Sequence, residues 1–169
     1  ALTALLVLAG VDTVDARTWS VEKDGSGDFT VIQDALDASA DGDTVLVGPG
    51  RFDDFQLQVS DQGIAYASIA RVRRDITFLG SGRDETFVGP DVHVGMFEGE
   101  ITASVLIDIG AEATVRSFTF ENAQTIVAIY HRAVFEDNRV DSRLKDRFAT
   151  LSVNVLNTTD VVIRDCEIL

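Results

Sequence analysis

Three six-residue segments, VRSFTF from Val115, FEDNRV from Phe135 and IRDCEI from Ile163, share one pattern: apolar, charged, small or acidic, variable, polar, apolar. Their spacing falls in the range of roughly 20 to 50 residues over which repeat architectures recur. In one register the first position stacks Val115, Phe135 and Ile163, and the sixth stacks Phe120, Val140 and Ile168, both facing a core. The second position runs Arg116, Glu136, Arg164. Opposite charges on neighbouring strands about 4.8 Å apart attract, so this column supports the register set by the apolar ones. The fourth position, Phe118, Asn138 and Cys166, turns inward after a bend at the third. An inward amide must find backbone partners, or its burial costs a few kcal/mol. An earlier segment, FLGSG from Phe78, fits the first three positions only.

The rest of the chain is consistent with short strands. Ile76 to Leu79, Val105 to Ile109, Thr114 to Phe120, Ile126 to Tyr130, Ala133 to Phe135, Thr150 to Leu156 and Val161 to Ile163 are apolar clusters punctuated by Gly, Asn, Asp and Ser. No window after Gly50 carries a 3.6-residue apolar face, which predicts an all-β body. Before it, Asp24 to Gly50 reads as a loop, one helix and a strand. Thr30 and Gln33 have the spacing of a capping box, and Ile32, Ala35, Leu36 and Ser39 form one small and apolar face over about two and a half turns. The helix stops at Asp41-Gly42-Asp43. Thr44 to Val47 follows as a β-branched strand, and Gly48-Pro49-Gly50 ends it.

Residues 1–16 open with an apolar run without a basic residue, and Val14 and Ala16 stand at the −3 and −1 positions of a signal-peptidase site. They are expected to be the remnant of a secretory signal, with 17–169 forming one domain outside the cytoplasm, either extracellular or periplasmic. The chain carries 28 acidic and 14 basic residues, a net charge of −14. That field repels nucleic acid and anionic lipid. The single cysteine, Cys166, excludes an intramolecular disulfide framework and a thiolate zinc cluster, and reads as a small buried apolar side chain.

The stretch from Asp24 to Gly50 resembles the entry segment of right-handed parallel β-helix proteins, the pectin lyase-like group, most closely pectinesterases. Gly50-Arg51-Phe52-Asp53-Asp54 is similar to their Gly-x-Tyr-x-Glu turn. Gly80 with Thr86 is similar to their Gly-x-Gly…Thr step, and SFTFEN from Ser117 to their N-I-T-F-x-N strand. The resemblance implies a right-handed, single-stranded parallel β-helix with an N-terminal capping α-helix. The strand-like ending at Glu167-Ile168-Leu169 leads to the expectation that 17–169 is the N-terminal part of a longer β-helix domain, monomeric at full length.

The same resemblance bears on activity. Pectinesterases use two Asp side chains, as nucleophile and acid/base, with Gln side chains holding the oxyanion. Gln124 can be matched to the first oxyanion Gln. The Gln-Asp-Thr-Leu motif falls on Leu144-Lys145-Asp146-Arg147, which puts Lys145 where the acid/base stands, and the nucleophile falls on Val153. Gln124, Lys145 and Asp146 are therefore weak catalytic candidates, and esterase activity is not expected of this segment. A polysaccharide lyase needs a basic residue beside a cation-neutralised uronate. Only Arg143, Lys145 and Arg147 with Asp137, Asp141 and Asp146 are dense enough to consider, and a solvated loop is the simpler reading. Asp137 and Asp141 are weak Ca²⁺ candidates, Asp41, Asp43, Asp53 and Asp54 a weaker set still. His131, after Tyr130, reads as a partly buried loop residue. The GSG segments at Ser26 and Ser81 read as turns and lack phosphate-cradle spacing.

Two functions follow as expectations. The first is a secreted β-helix segment that binds polysaccharide, pectic or otherwise acidic, or serves as a surface scaffold, with no catalytic residues of its own. The second is the N-terminal part of a carbohydrate-active enzyme of lyase or esterase type, with its catalytic site on later turns of the helix.

Overall fold

The computed structural model describes residues 15–60, 63, 65–91, 104–123, 125–141, 151–156 and 158–169. Of the leader expected over 1–16, all but Asp15 and Ala16 lie outside these residues. In chain order the elements are β1 (Thr18–Val21), α1 (Ile32–Ala38), β2 (Thr44–Val47), β3 (Gly50–Phe52), β4 (Gln56–Val59), β5 (Ala65–Val72), β6 (Ile76–Gly80), β7 (Thr86–Val88) and β8 (Ser104–Ile109). They continue with β9 (Ala113–Arg116), β10 (Thr119–Glu121), β11 (Thr125–Ile129), β12 (Ala133–Glu136), β13 (Arg139–Asp141), β14 (Leu151–Val155), β15 (Val161–Arg164) and β16 (Glu167–Ile168).

The chain is mostly β, and its strands lie in parallel sheets. A six-stranded sheet runs β1-β2-β6-β9-β12-β15, a five-stranded sheet β3-β7-β10-β13-β16, and a second five-stranded sheet β4-β5-β8-β11-β14. From β6 onward the chain visits the three sheets in rotation, so each strand from β8 to β13 pairs with those three places before and after it, while β6 and β7 reach back to β2 and β3. Only β4 with β5 is antiparallel among the pairs of described strands.

The register is the one the repeat predicts. Val115 and Ile163 both pair with Phe135, and Phe120 and Ile168 both pair with Val140. Phe78 joins the first column through Val115. Arg116 Nη1 lies 3.6 Å from Glu136, which Arg164 clasps from the other side through Nε at 2.6 Å. Val115, Phe135, Phe120 and Val140 are fully buried. Ile163 and Ile168 share their columns yet are 41% and 52% exposed, because β15 and β16 are terminal in their sheets and carry no further strand above them.

The bend at the third position has a backbone cause. Ser117, Asp137 and Asp165 adopt φ of 67°, 51° and 54°, and short polar side chains are those that tolerate this left-handed region. The reversal turns the fourth position inward. Phe118 stacks on Phe78 with centroids 4.5 Å apart, and Phe120 links Phe118 to Phe135 at 5.4 and 5.7 Å, a run of aromatic contacts through the core. Asn138, fully buried, accepts from Phe118 N–H at 2.9 Å and donates to Val115 C=O at 2.9 Å, so it has the backbone partners it requires. Cys166 repeats half of that arrangement: Sγ lies 3.4 Å from Phe135 C=O, the carbonyl one strand on from Val115. It is half-buried, not buried, and burial pushes its thiol above the usual range.

The N-terminal helix departs from expectation at its cap. Its N-cap is Val31, with no side-chain cap hydrogen bond, so the Thr30/Gln33 capping box does not form. Gln33 is recruited elsewhere: its Oε1 accepts from Arg71 N–H at 2.8 Å and its Nε2 donates to Asp37 at 2.8 Å. A buried amide satisfied by strand β5 outweighs a local cap. Ile32, Ala35 and Leu36 are buried as predicted, and the helix packs on β5, β1 and β2. The helix is seven residues long, and Ser39 closes its end by donating to Leu36 C=O. Beyond it, buried Asp43 accepts from Ala40 N–H, Arg17 N–H and Trp19 Nε1–H at 2.7 to 2.9 Å. These hold its carboxyl below the usual range, the Ala40 bond most.

Candidate functional site

Two outward surfaces carry more than packing. The first is on the six-stranded sheet, where the register aligns Thr18, Thr44, Thr77 and Thr114 on consecutive strands, followed by Val134 and Val162. All six are β-branched, which suits a pleated surface. The hydroxyls of Thr44, Thr77 and Thr114 form no hydrogen bond to another described residue. Beside this column, at the entrance of β6, β9 and β12, lies an open groove of about 210 Å³. Thr77, Thr114 and Val134 line it, with Asp75, Glu112 and Arg132 along one side and Gly42 at one end. Its charged wall is fixed: Asp75 Oδ1 accepts from Glu112 N–H at 2.9 Å, Asp41 holds Asp75 N–H at 3.1 Å, and Glu112 pairs with Arg132.

The second surface is on the sheet of β5, β8 and β11. Burial runs unbroken over 67–70, 106–109 and 126–129, without strict alternation, and one residue of each strand falls in a common register row beside or within these runs. Those residues are Arg71, Asp108 and Ala128, paired across the strands. Asp108 is nevertheless nearly buried. Arg73 grips it with both terminal guanidinium nitrogens, Nη2 to Oδ2 at 2.7 Å and Nη1 to Oδ1 at 3.3 Å, and Tyr66 donates to Oδ2 at 2.6 Å. Gly110 makes the grip feasible, since a Cβ there would stand 2.4 Å from Arg73 Nη1. Burial and the Asp108 carboxylate push the Tyr66 phenol up to about 12, so it stays protonated and a donor. Tyr130 is pushed up by burial and Asp108 as well.

Arg71 is the unsatisfied member. Its Nη1 donates to Gln58 at 3.2 Å, and its Nε lies 4.0 Å from Asp108 Oδ2, too far for a hydrogen bond. That Nε is buried and has no hydrogen-bond partner, and neither has Ser68 Oγ, whose residue is fully buried.

Of the residues singled out in the sequence, Gln124, Lys145 and Asp146 lie outside the described residues, as do Arg143, Leu144 and Arg147. Val153, at the expected nucleophile position, is a strand residue opposite Val127. Asp137 and Asp141, the weak Ca²⁺ candidates, both lie among the described residues. Asp137 accepts from Ser117 Oγ at 2.9 Å with Arg83 at 3.8 Å, Asp141 pairs with Glu121 in the sheet register, and no group of three or more His, Cys, Asp and Glu side chains among the described residues could hold a metal ion. Asp43 is committed to its three donors, and Asp53 and Asp54 to Lys23. His131 is exposed in the turn after β11, not partly buried. Among the described residues no helix is long and apolar enough to cross a membrane.

No protein-family model matches the sequence, and no curated protein matches it. Neither outward surface was visible in the sequence. The threonine column emerges only from the register, and the one available signal for the second cluster was the basic run Arg71-Val72-Arg73-Arg74 in an acidic chain.

Proposed function

We propose that the three sheets are the faces of a secreted, right-handed parallel β-helix of the pectin lyase-like kind, and that this segment binds polysaccharide without catalytic residues of its own. The rotation of the chain among three sheets supports the architecture, and the resemblance at Gly50 to Asp54, Gly80 with Thr86, and Ser117 to Asn122 supports the group. The observation that carries the function is the threonine column beside the groove. Methyl groups, and hydroxyls that bond to no other described residue, repeated at the spacing of about 4.8 Å between strands, offer an extended glycan both an apolar ledge and hydrogen-bond partners along its length. Glycans present the same alternation of C–H faces and hydroxyls. Asp75, Glu112 and Arg132 would orient the chain from the side, with charged hydrogen bonds stronger than neutral ones.

The test is binding to a panel of neutral and acidic polysaccharides, with and without Ca²⁺, by the protein and by Thr77→Lys/Thr114→Lys, which fills the groove on two adjacent strands. Binding to one glycan class, lost in the double variant while its unfolding curve is unchanged, supports the reading. Absence of binding across the panel, or binding indifferent to the substitutions, would refute it.

A further inference from the structure

The groove beside the threonine column carries a charge pattern that narrows the class of glycan, an inference that rests on the glycan reading of that groove. Asp75, Glu112, Arg132 and Asp160 each precede the first residue of a strand, and those first residues, Ile76, Ala113, Ala133 and Val161, pair in one register. The four therefore stand in a row along one edge of the face. Asp41, in the turn before β2, holds Asp75 N–H and adds a further acid on the far side of Asp75. The row thus has four carboxylates and one guanidinium.

The guanidinium is already paired. Arg132 Nη2 bonds to Glu112, and that bond, with the charges of Glu112, Asp160 and Asp75, raises its pKa above the usual value. Asp75 and Glu112 are like charges on neighbouring strands, an arrangement that costs stability. Each spends one oxygen inside the row, Asp75 Oδ1 on Glu112 N–H and Glu112 Oε1 on Arg132, and among the described residues the second oxygen of each accepts no hydrogen bond. Both residues line the groove. The acids are strung along the sheet and not gathered round a point: among the described residues no group of three or more His, Cys, Asp and Glu could hold a metal ion. Such a row is matched by positive charge spread along a line.

We propose that the groove takes a glycan with a free amine on each sugar, of the glucosamine type, and rejects polyuronates. The sugars lie along the threonine column, and their ammonium groups meet the unspent oxygens of Asp75 and Glu112 on adjacent strands about 4.8 Å apart. A uronate in the same place would set its carboxylate against theirs, with only an engaged guanidinium to offset the repulsion. The sign of the ligand is therefore opposite to that implied by the resemblance to pectinesterases.

Titration calorimetry at constant ionic strength, comparing chitosan, chitin and cellulose oligomers of one length with oligogalacturonate, tests the proposal. The expected result is saturable binding, tightest for the chitosan oligomer. Its affinity should fall about tenfold in Asp75→Asn/Glu112→Gln, which keeps both acceptor oxygens and removes both charges. The chitin and cellulose oligomers should bind that variant as they bind the wild type. Glu112→Gln alone decides the matter if the pair does not fold. Any polycation is drawn to a chain of net charge −14, so Asp34→Asn/Glu85→Gln, at two exposed acids outside the groove, is the control. It should leave chitosan affinity within about twofold, since exposed charges beyond a Debye length are screened. Equal weakening in the two pairs would overturn the proposal, as would tightest binding of oligogalacturonate. Cellulose binding as tight as chitosan binding, and lost in Thr77→Lys/Thr114→Lys, would overturn it and leave the glycan reading intact. Absence of binding by every oligomer would overturn both.

Discussion

Asn138 is the polar residue on which the inner packing depends most directly, and its replacement makes a quantitative test. Its side chain is fully buried, and both of its hydrogen bonds go to backbone groups of the preceding pair of strands, Phe118 N–H and Val115 C=O. Those groups flank the left-handed residue Ser117, where the strand ladder is interrupted. In Asn138→Ala both are left without the amide in a water-free interior, at about 1–3 kcal/mol each, and the missing atoms leave a void. The sum is about 3–6 kcal/mol, a large share of a typical domain's 5–15 kcal/mol. Asn138→Asp separates the hydrogen-bond account from the volume account. One carboxylate oxygen can still accept from Phe118 N–H, but the other faces the Val115 carbonyl and repels it. The folded-state pKa of this Asp should therefore be raised above the unfolded value of about 3.9. A raised acid is tolerated below the unfolded pKa, where its O–H can donate to Val115 C=O. It loses stability as pH rises, at up to about 1.4 kcal/mol per pH unit, until the folded pKa is reached. Urea unfolding of wild type and both variants between pH 4 and 8 measures this. A cost below about 1 kcal/mol for Asn138→Ala, or an Asn138→Asp penalty that does not grow with pH, would show that the amide is not holding the bend.

Three further outcomes are expected. Phe135→Ala, at a fully buried aromatic position between Val115 and Ile163, should cost about 3–5 kcal/mol in chemical unfolding; a cost under about 1 kcal/mol would contradict its place in the core. Asp43 has a depressed carboxyl in the folded state, so its contribution is present above the unfolded pKa and lost as pH falls through the folded one. Asp43→Asn should lower the melting temperature at pH 7 and flatten its acid limb, and parallel acid limbs would refute the assignment. Methanol release from methylated pectin should not exceed a heat-inactivated control, since Val153 cannot act as the nucleophile that ester hydrolysis through an acyl-enzyme requires. Turnover abolished by changing Gln124 or Asp146 would show that the active centre had been misplaced.

The columns were legible because their apolar and charged positions recur in the same order, and a wrong register would have set Arg116 or Arg164 away from Glu136. The bend was legible through its small and acidic residues, and so were the buried faces of Ile32, Ala35 and Leu36. Strand β5 was missed because AYASIARV mixes small residues with an outward Tyr and Arg, leaving neither clean alternation nor a solid apolar run. The cap was misread because the sequence shows Gln33 near Thr30 and cannot show Arg71, 38 residues away and the better partner. The polar cluster was beyond reach for the same reason. Tyr66 meets Asp108 across 42 residues and Arg73 meets it across 35, and no local pattern encodes either meeting.

The rotation among three sheets also sets how the chain can acquire its structure. Partners on neighbouring strands lie 20 residues apart for Ser117 and Asp137, 28 for Glu136 and Arg164, and 37 for Asp75 and Glu112. Closing the longest of these loops instead of the shortest costs only about 0.5 kcal/mol more, because closure entropy grows with the logarithm of length. Among the described strands no paired residues lie further apart in sequence than Ile76 and Ala113, 113 − 76 = 37, so none of these pairings stands out by the length of the loop it closes. Once one pair of strands has formed, the next finds its template already in place, so a chain emerging from the ribosome can lay down its strands in the order in which they are made.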